Sequence, residues 1–124
     1  MFGRGGSGRR AEAEAGLRDD LARLDALDLD ALADEVLVRV FGPGGQADDH
    51  GVVEMWRIVM PFDPWGTGQF PGMPKELRRE FQELVEEGLQ RLEHRGLVHV
   101  RVSGRDQTSI DVRLTRAGRR ALGD

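Results

Sequence analysis

The sequence has no cysteine. That removes disulfides, thiolate metal sites and cysteine nucleophiles, and it fits a cytoplasmic protein. Lysine is nearly missing too, with Lys75 alone against 17 arginines. Arginine codons are mostly GC-rich, so this ratio reflects genome composition before function. No apolar run approaches the roughly 18 residues of a membrane-spanning helix. No apolar segment follows a basic start at the N-terminus, so neither a membrane partner nor a secretory signal is expected. The three histidines, His50, His94 and His99, lack metal-ligand spacing, and without cysteine partners no metal site is expected. No nucleophile elbow, phosphate loop or pair of catalytic carboxylates is visible. Neither enzymatic activity nor a cofactor is therefore expected.

What is present suits one domain with one core: 124 residues, 39% hydrophobic and 32% charged. The net charge of −4 conceals a segregated pattern. Residues 1–10 hold three arginines and no acids, residues 11–90 hold 18 acids and 7 bases, and residues 91–124 hold 8 arginines and 4 acids. An acidic body with basic ends argues against a protein that coats nucleic acid generally, and allows a local basic footprint.

Along the chain, "MFGRGGSGRR" has little to bury and reads as a flexible Gly/Arg arm over residues 1–10. Its formal G-x-G-x-x-G match at Gly3, Gly5 and Gly8 follows no strand, so it does not indicate phosphate binding. Residues 11–124 read as a single domain. Leu17, Leu21, Leu24 and Leu27 predict a helix over about 11–27. A second follows over about 30–41, capped by Asp28 or Asp30 and stopped at Gly42 and Pro43. Val52, Val53, Trp56, Val59 and Met60 fit the buried stripe of a third, over about 50–60. "PFDPWGTGQFPGMP", residues 61–74, is too long and too apolar for a plain connector. Its Phe62, Trp65 and Phe70 either fold back on the core or meet a partner.

A fourth helix is predicted over about 74–95, with Pro74 in its first turn and Leu77, Phe81, Leu84, Val85, Leu89 and Leu92 as its core face. Gly96 suits a left-handed stop, with Leu97 touching Leu92. The period then switches to two. Val98, Val100 and Val102, and later Ile110, Val112 and Leu114, predict a β-hairpin over 97–115. Thr115 caps an exit helix over 116–122. The fold class is mostly α with a C-terminal β-hairpin, α+β.

"LQRLEHRGLVHVRV" and "IDVRLTRAGRRAL" together resemble the reading helix, hairpin wing and exit helix of bacterial winged helix-turn-helix regulators of the MarR-like and PadR-like groups. The resemblance rests on Leu92, Glu93, Gly96, Leu97 and Val98, and on Leu114, Thr115 and Gly118, and covers about a quarter of the chain. It implies a winged helix with extra N-terminal helices, binding of double-stranded DNA in transcription regulation, and often a homodimer built by terminal helices. The chain departs from the pattern in two places. "KELRREFQELVEEGLQRLEHRG" shows one unbroken helical pattern where a helix, a turn and a helix are usual. The wing tip "GRDQTS" offers one arginine, Arg105, beside Asp106.

The candidate DNA contacts are Lys75, Arg78, Arg79 and Gln82 at the start of the long helix, with Arg101, Arg105 and Arg113 on the wing. Glu83, Glu86 and Glu87 sit one to two turns later, where they would face phosphate. Two functions follow from the residues. One is a dimeric winged-helix DNA-binding regulator, paired through the N-terminal helix. The other is a winged-helix module that does not bind DNA. It docks a protein partner through the 61–74 loop and the acidic helix, with Phe62, Trp65 and Phe70 as anchors.

Overall fold

The structure, a computed structural model, describes residues 2–62, 74–103 and 109–123, with the backbone alone for residues 2–10, 103 and 109. It is mostly helical with a small three-stranded antiparallel sheet, an α+β arrangement. In chain order come α1 (Phe2–Asp25), α2 (Leu29–Phe41), β1 (Val52–Glu54), two 3-10 turns at Met55–Arg57 and Met60–Phe62, α3 (Lys75–His94), β2 (Val98–Ser103), β3 (Ser109–Leu114) and α4 (Arg116–Ala121). Among the described residues, no helix is long and apolar enough to cross a membrane.

Two elements differ from the sequence reading. The segment expected as a flexible arm is helical from Phe2. The run from Ala11 to Ala15 is built of strong helix formers, so the helix starts well before Leu17. Local propensity does not explain its continuation through Gly3, Gly5, Gly6 and Gly8, each of which costs about 1 kcal/mol in a helix. The segment expected as a helix over 50–60 begins instead as β1. Val53 there pairs with Val112 and Glu54 with Asp111. Asp48 starts this strand by accepting hydrogen bonds from the backbone N–H of His50 and Val52, at 2.8 and 3.0 Å. Those two bonds hold the Asp48 carboxyl below its ordinary range. Gly51 follows in the left-handed region, with φ of 73°, a conformation open to glycine and strained for other residues. Two adjacent β-branched valines then favour extended backbone. Trp56, assigned to the buried stripe of the expected helix, is 57% exposed.

The sheet has the order β1-β3-β2, with β3 central. Val53, Val98 and Val112 are buried beneath it. Beyond them α2 and α3 cross at Gly88, a buried glycine in mid-helix. A Cβ there would lie 2.6 Å from Val36 Cγ2, so the crossing depends on the missing side chain. Leu17 and Leu24 of α1 are buried within the chain, and Leu21 is half-buried.

A cation and two rings join four elements. Asp20 of α1 pairs with Arg39 of α2 at 3.2 Å, and the Arg39 guanidinium lies 4.1 Å from the centre of the Phe62 ring. That ring meets Phe81 of α3 at 6.1 Å between centroids. Phe62, proposed from sequence as a partner anchor, is therefore a core residue, 2% exposed.

The end of α3 follows the expected stop. Leu97 N–H donates to Leu92 O and Gly96 N–H to Glu93 O, with Gly96 at φ 76°. Pro74 stands at the cap position, one residue before the helix. Asp28 caps α2 through Ala31 N–H, at 2.8 Å. Thr115 caps α4 through Gly118 N–H and also donates its hydroxyl to Gly96 O, at 3.0 and 2.6 Å. One threonine thus ties the start of α4 to the end of α3.

Candidate interaction surface

α3 turns Leu77, Phe81, Val85, Gly88, Leu89 and Leu92 into the core. This spacing leaves an opposite face to solvent. That face carries Lys75, Glu76, Arg79, Glu80, Glu83, Glu86, Glu87 and Gln90, all exposed. Five carboxylates thus stand among two cations on one helix face. Of the four candidate DNA contacts, which share one stripe of this helix, Lys75 and Arg79 are exposed, while Arg78 and Gln82 are half-buried. Gln82 donates to Glu86 at 3.5 Å. The stripe is therefore split, and its glutamine is turned toward a carboxylate of the same helix.

Arg91, one turn beyond Glu87, reaches across to α2. It donates to both Asp30 oxygens, at 2.8 and 3.4 Å, and Arg95 donates to Asp34 at 3.1 Å. The hydrogen bond from Arg91 is the main reason the Asp30 carboxyl is held below its ordinary range. The same contact raises Arg91. A carboxyl lowered in the folded state stabilises the fold at neutral pH, and that contribution fades as pH falls below about 4. Asp30→Asn should therefore lower the urea midpoint at pH 7, and its gap from the unsubstituted chain should close toward pH 3. A gap of equal size at both pH values would assign the effect to packing instead of charge.

The hairpin residues lie on another surface. Arg101 and Arg113 are both exposed, and so is His99. Arg101 stands opposite Asp111 in the register and His99 opposite Arg113, so that face is mixed in charge. Arg116, Arg119 and Arg120 of α4 are exposed, and Arg119 donates to His50 O at 2.9 Å. Arg105, Trp65 and Phe70 lie outside the described residues.

Sequence reasoning missed three surface features. Trp56 is exposed, and its indole N–H donates to Glu54 with the Arg57 guanidinium 5.1 Å from its ring. Val102 and Ile110 are cross-strand partners on the hairpin and are 57% and 39% exposed. Their alternation was legible, but not how far the hairpin outruns its cover. Among the described residues, no group of three or more histidine, aspartate and glutamate side chains could hold a metal. Comparisons with protein-family models, curated proteins and solved structures give no match to this chain.

Proposed function

We propose that the chain is a winged-helix module whose long helix docks a protein partner instead of entering a DNA major groove. The helix–strand–helix–strand–strand order of α2, β1, α3, β2 and β3, and the sheet order β1-β3-β2, support the winged-helix part. They agree with the resemblance carried by Leu92, Gly96, Leu97, Thr115 and Gly118.

The observation that carries the docking part is the exposed face of α3, with Glu76, Glu80, Glu83, Glu86 and Glu87 against Lys75 and Arg79. A carboxylate about 4 Å from a phosphate costs about 1 kcal/mol in water and about 4 kcal/mol at the effective dielectric of a protein surface. A good arginine–guanine contact supplies about 1–3 kcal/mol. Five carboxylates against two exposed cations, Lys75 and Arg79, make groove insertion unfavourable. Pairing through α1 is not part of this reading, because Leu17 and Leu24 are already covered within the chain.

A second reading, a DNA-binding regulator, is favoured by the exposed arginines Arg101, Arg113, Arg116, Arg119 and Arg120. It would grip phosphates with the hairpin and exit helix. One titration separates the two. Mixed-sequence duplex DNA is titrated with the full chain over about 50–200 mM salt. The docking reading expects negligible binding at the upper end and no change on Arg79→Ala. Tight binding that Arg79→Ala abolishes would overturn it. Binding that survives Arg79→Ala and disappears with Arg113→Ala/Arg116→Ala would support the second reading.

A further inference from the structure

We propose that the groove between α1 and α3 docks a basic amphipathic helix of a partner protein, seating an aliphatic side chain on Leu21 and Leu84 and cations against Asp25, Glu80, Glu83 and Glu87. This rests on the reading of α3 as a protein-docking helix, and adds where the partner sits and what it must carry. The groove offers about 430 Å³ of open space. Its two leucines are half-buried and packed on the core from one side, so each keeps apolar surface to give.

The charges decide the occupant. Elsewhere on α1 and α2 five acids are matched, Glu14 with Arg18, Asp20 with Arg39, Glu35 with Arg23, Asp30 with Arg91 and Asp34 with Arg95, while Glu12 and Asp19 have no salt bridge among the described residues. None of the four groove carboxylates has a salt-bridge partner among the described residues. The cation on the groove rim, Arg18, is held by Glu14 at 3.3 Å. An apolar floor between unmatched carboxylates fits a helix with leucines on one face and arginines or lysines beside them. It repels phosphate and acidic peptides alike. Complementary charge speeds encounter and fixes orientation, while the apolar contact supplies retention.

The test uses the full chain and three fluorescein-labelled synthetic peptides read by anisotropy. The first is a helix-forming peptide with leucines at i,i+4 spacing and flanking arginines. The second keeps the arginines and replaces leucine by glutamine. The third keeps the leucines and replaces arginine by glutamate. The first should bind, more weakly at about 300 than at about 50 mM salt, and the other two should bind at least about tenfold more weakly. Glu80→Lys/Glu87→Lys should weaken the first peptide by about tenfold or more, whereas Glu76→Lys/Glu86→Lys, with the same change in net charge, should shift it by less than about threefold. All four glutamates are exposed, and circular dichroism verifies that the variants fold. Equal losses in the two double variants would overturn the groove and leave α3 a docking helix through its diffuse charge. Binding unaffected by either variant would overturn both the groove and the docking reading. Equal affinity for the glutamine peptide would remove the apolar seat, and no binding of the first peptide would overturn the groove outright.

Discussion

Phe81→Ala is expected to lower the unfolding free energy by about 3–5 kcal/mol. Phe81 is fully buried, at 0% exposure. Its truncation opens a hole where α3 meets the 3-10 turn at Met60–Phe62. It also removes the ring partner of Phe62, an interaction worth about 0.5–1.5 kcal/mol beyond burial itself. The damage extends further, because Phe62 is the surface on which Arg39 lies and Arg39 is the partner of Asp20. A loss of that size is a large part of the roughly 5–15 kcal/mol that a domain has in total. Urea unfolding should show a much lower midpoint with an unchanged slope. Phe81→Leu, which keeps most of the volume but loses the ring pairing, should cost about 1–2.5 kcal/mol. Similar losses for leucine and alanine would mean that ring geometry, and not filled space, holds α3 in place.

Gly118→Ala is expected to cost about 3 kcal/mol, at the upper end of overpacking effects. A Cβ at this position would run into the carbonyl oxygen of Leu97 and would lie 2.6 Å from Leu114 Cδ1. The leucine side chain could move, but the carbonyl cannot, because it accepts the hydrogen bond of Thr115 N–H. α4 would have to lift, taking the Thr115 contacts to Gly118 and Gly96 with it. Alanine gains about 1 kcal/mol in helix propensity over glycine, too little to offset this. Gly16→Ala is the contrast, because nothing lies within 4 Å of a Cβ there. It should stabilise by about 0.5–1 kcal/mol through propensity alone. Urea midpoints for the pair, with trypsin cleavage at Arg116, Arg119 and Arg120 as a local reading of α4, test the contrast. A Gly118→Ala chain of undiminished stability would mean that α4 is not packed on Leu97 as described.

The sequence carried the end of α3, the hairpin and the start of α4, because each rests on neighbours. Gly96 with Leu97, the alternating valines, and Thr115 with Gly118 are contacts within a few residues. β1 was not legible. The apolar spacing of Val52, Val53, Trp56 and Val59 suits one face of a helix, and its competitor, pairing with β3, lies about sixty residues downstream. The same distance hides the partners of Arg91 and Arg95, which lie 61 residues upstream. At the candidate surface the glutamates of α3 could be counted in advance. Their effect depends on which of them share the open face with Arg79, and only the helix packing tells that. The groove needed the placement of α1 as well, which no local pattern contains. Phe62 was misassigned because a loop phenylalanine and a core phenylalanine look alike until Arg39 and Phe81 enclose one of them.

The sheet order has a consequence for the order in which this chain assembles. β2 and β3 are joined by a short connection, whereas Val53 must find Val112 across nearly half the chain. Closing a loop about ten times longer costs about 2 kcal/mol more entropy. That cost is recovered only when Val53 is finally buried. β1 is also the shortest strand, three residues long, and lies at the edge of the sheet. It should be the last strand to join during folding and the first to detach, with Asp48 and Gly51 acting as its hinge.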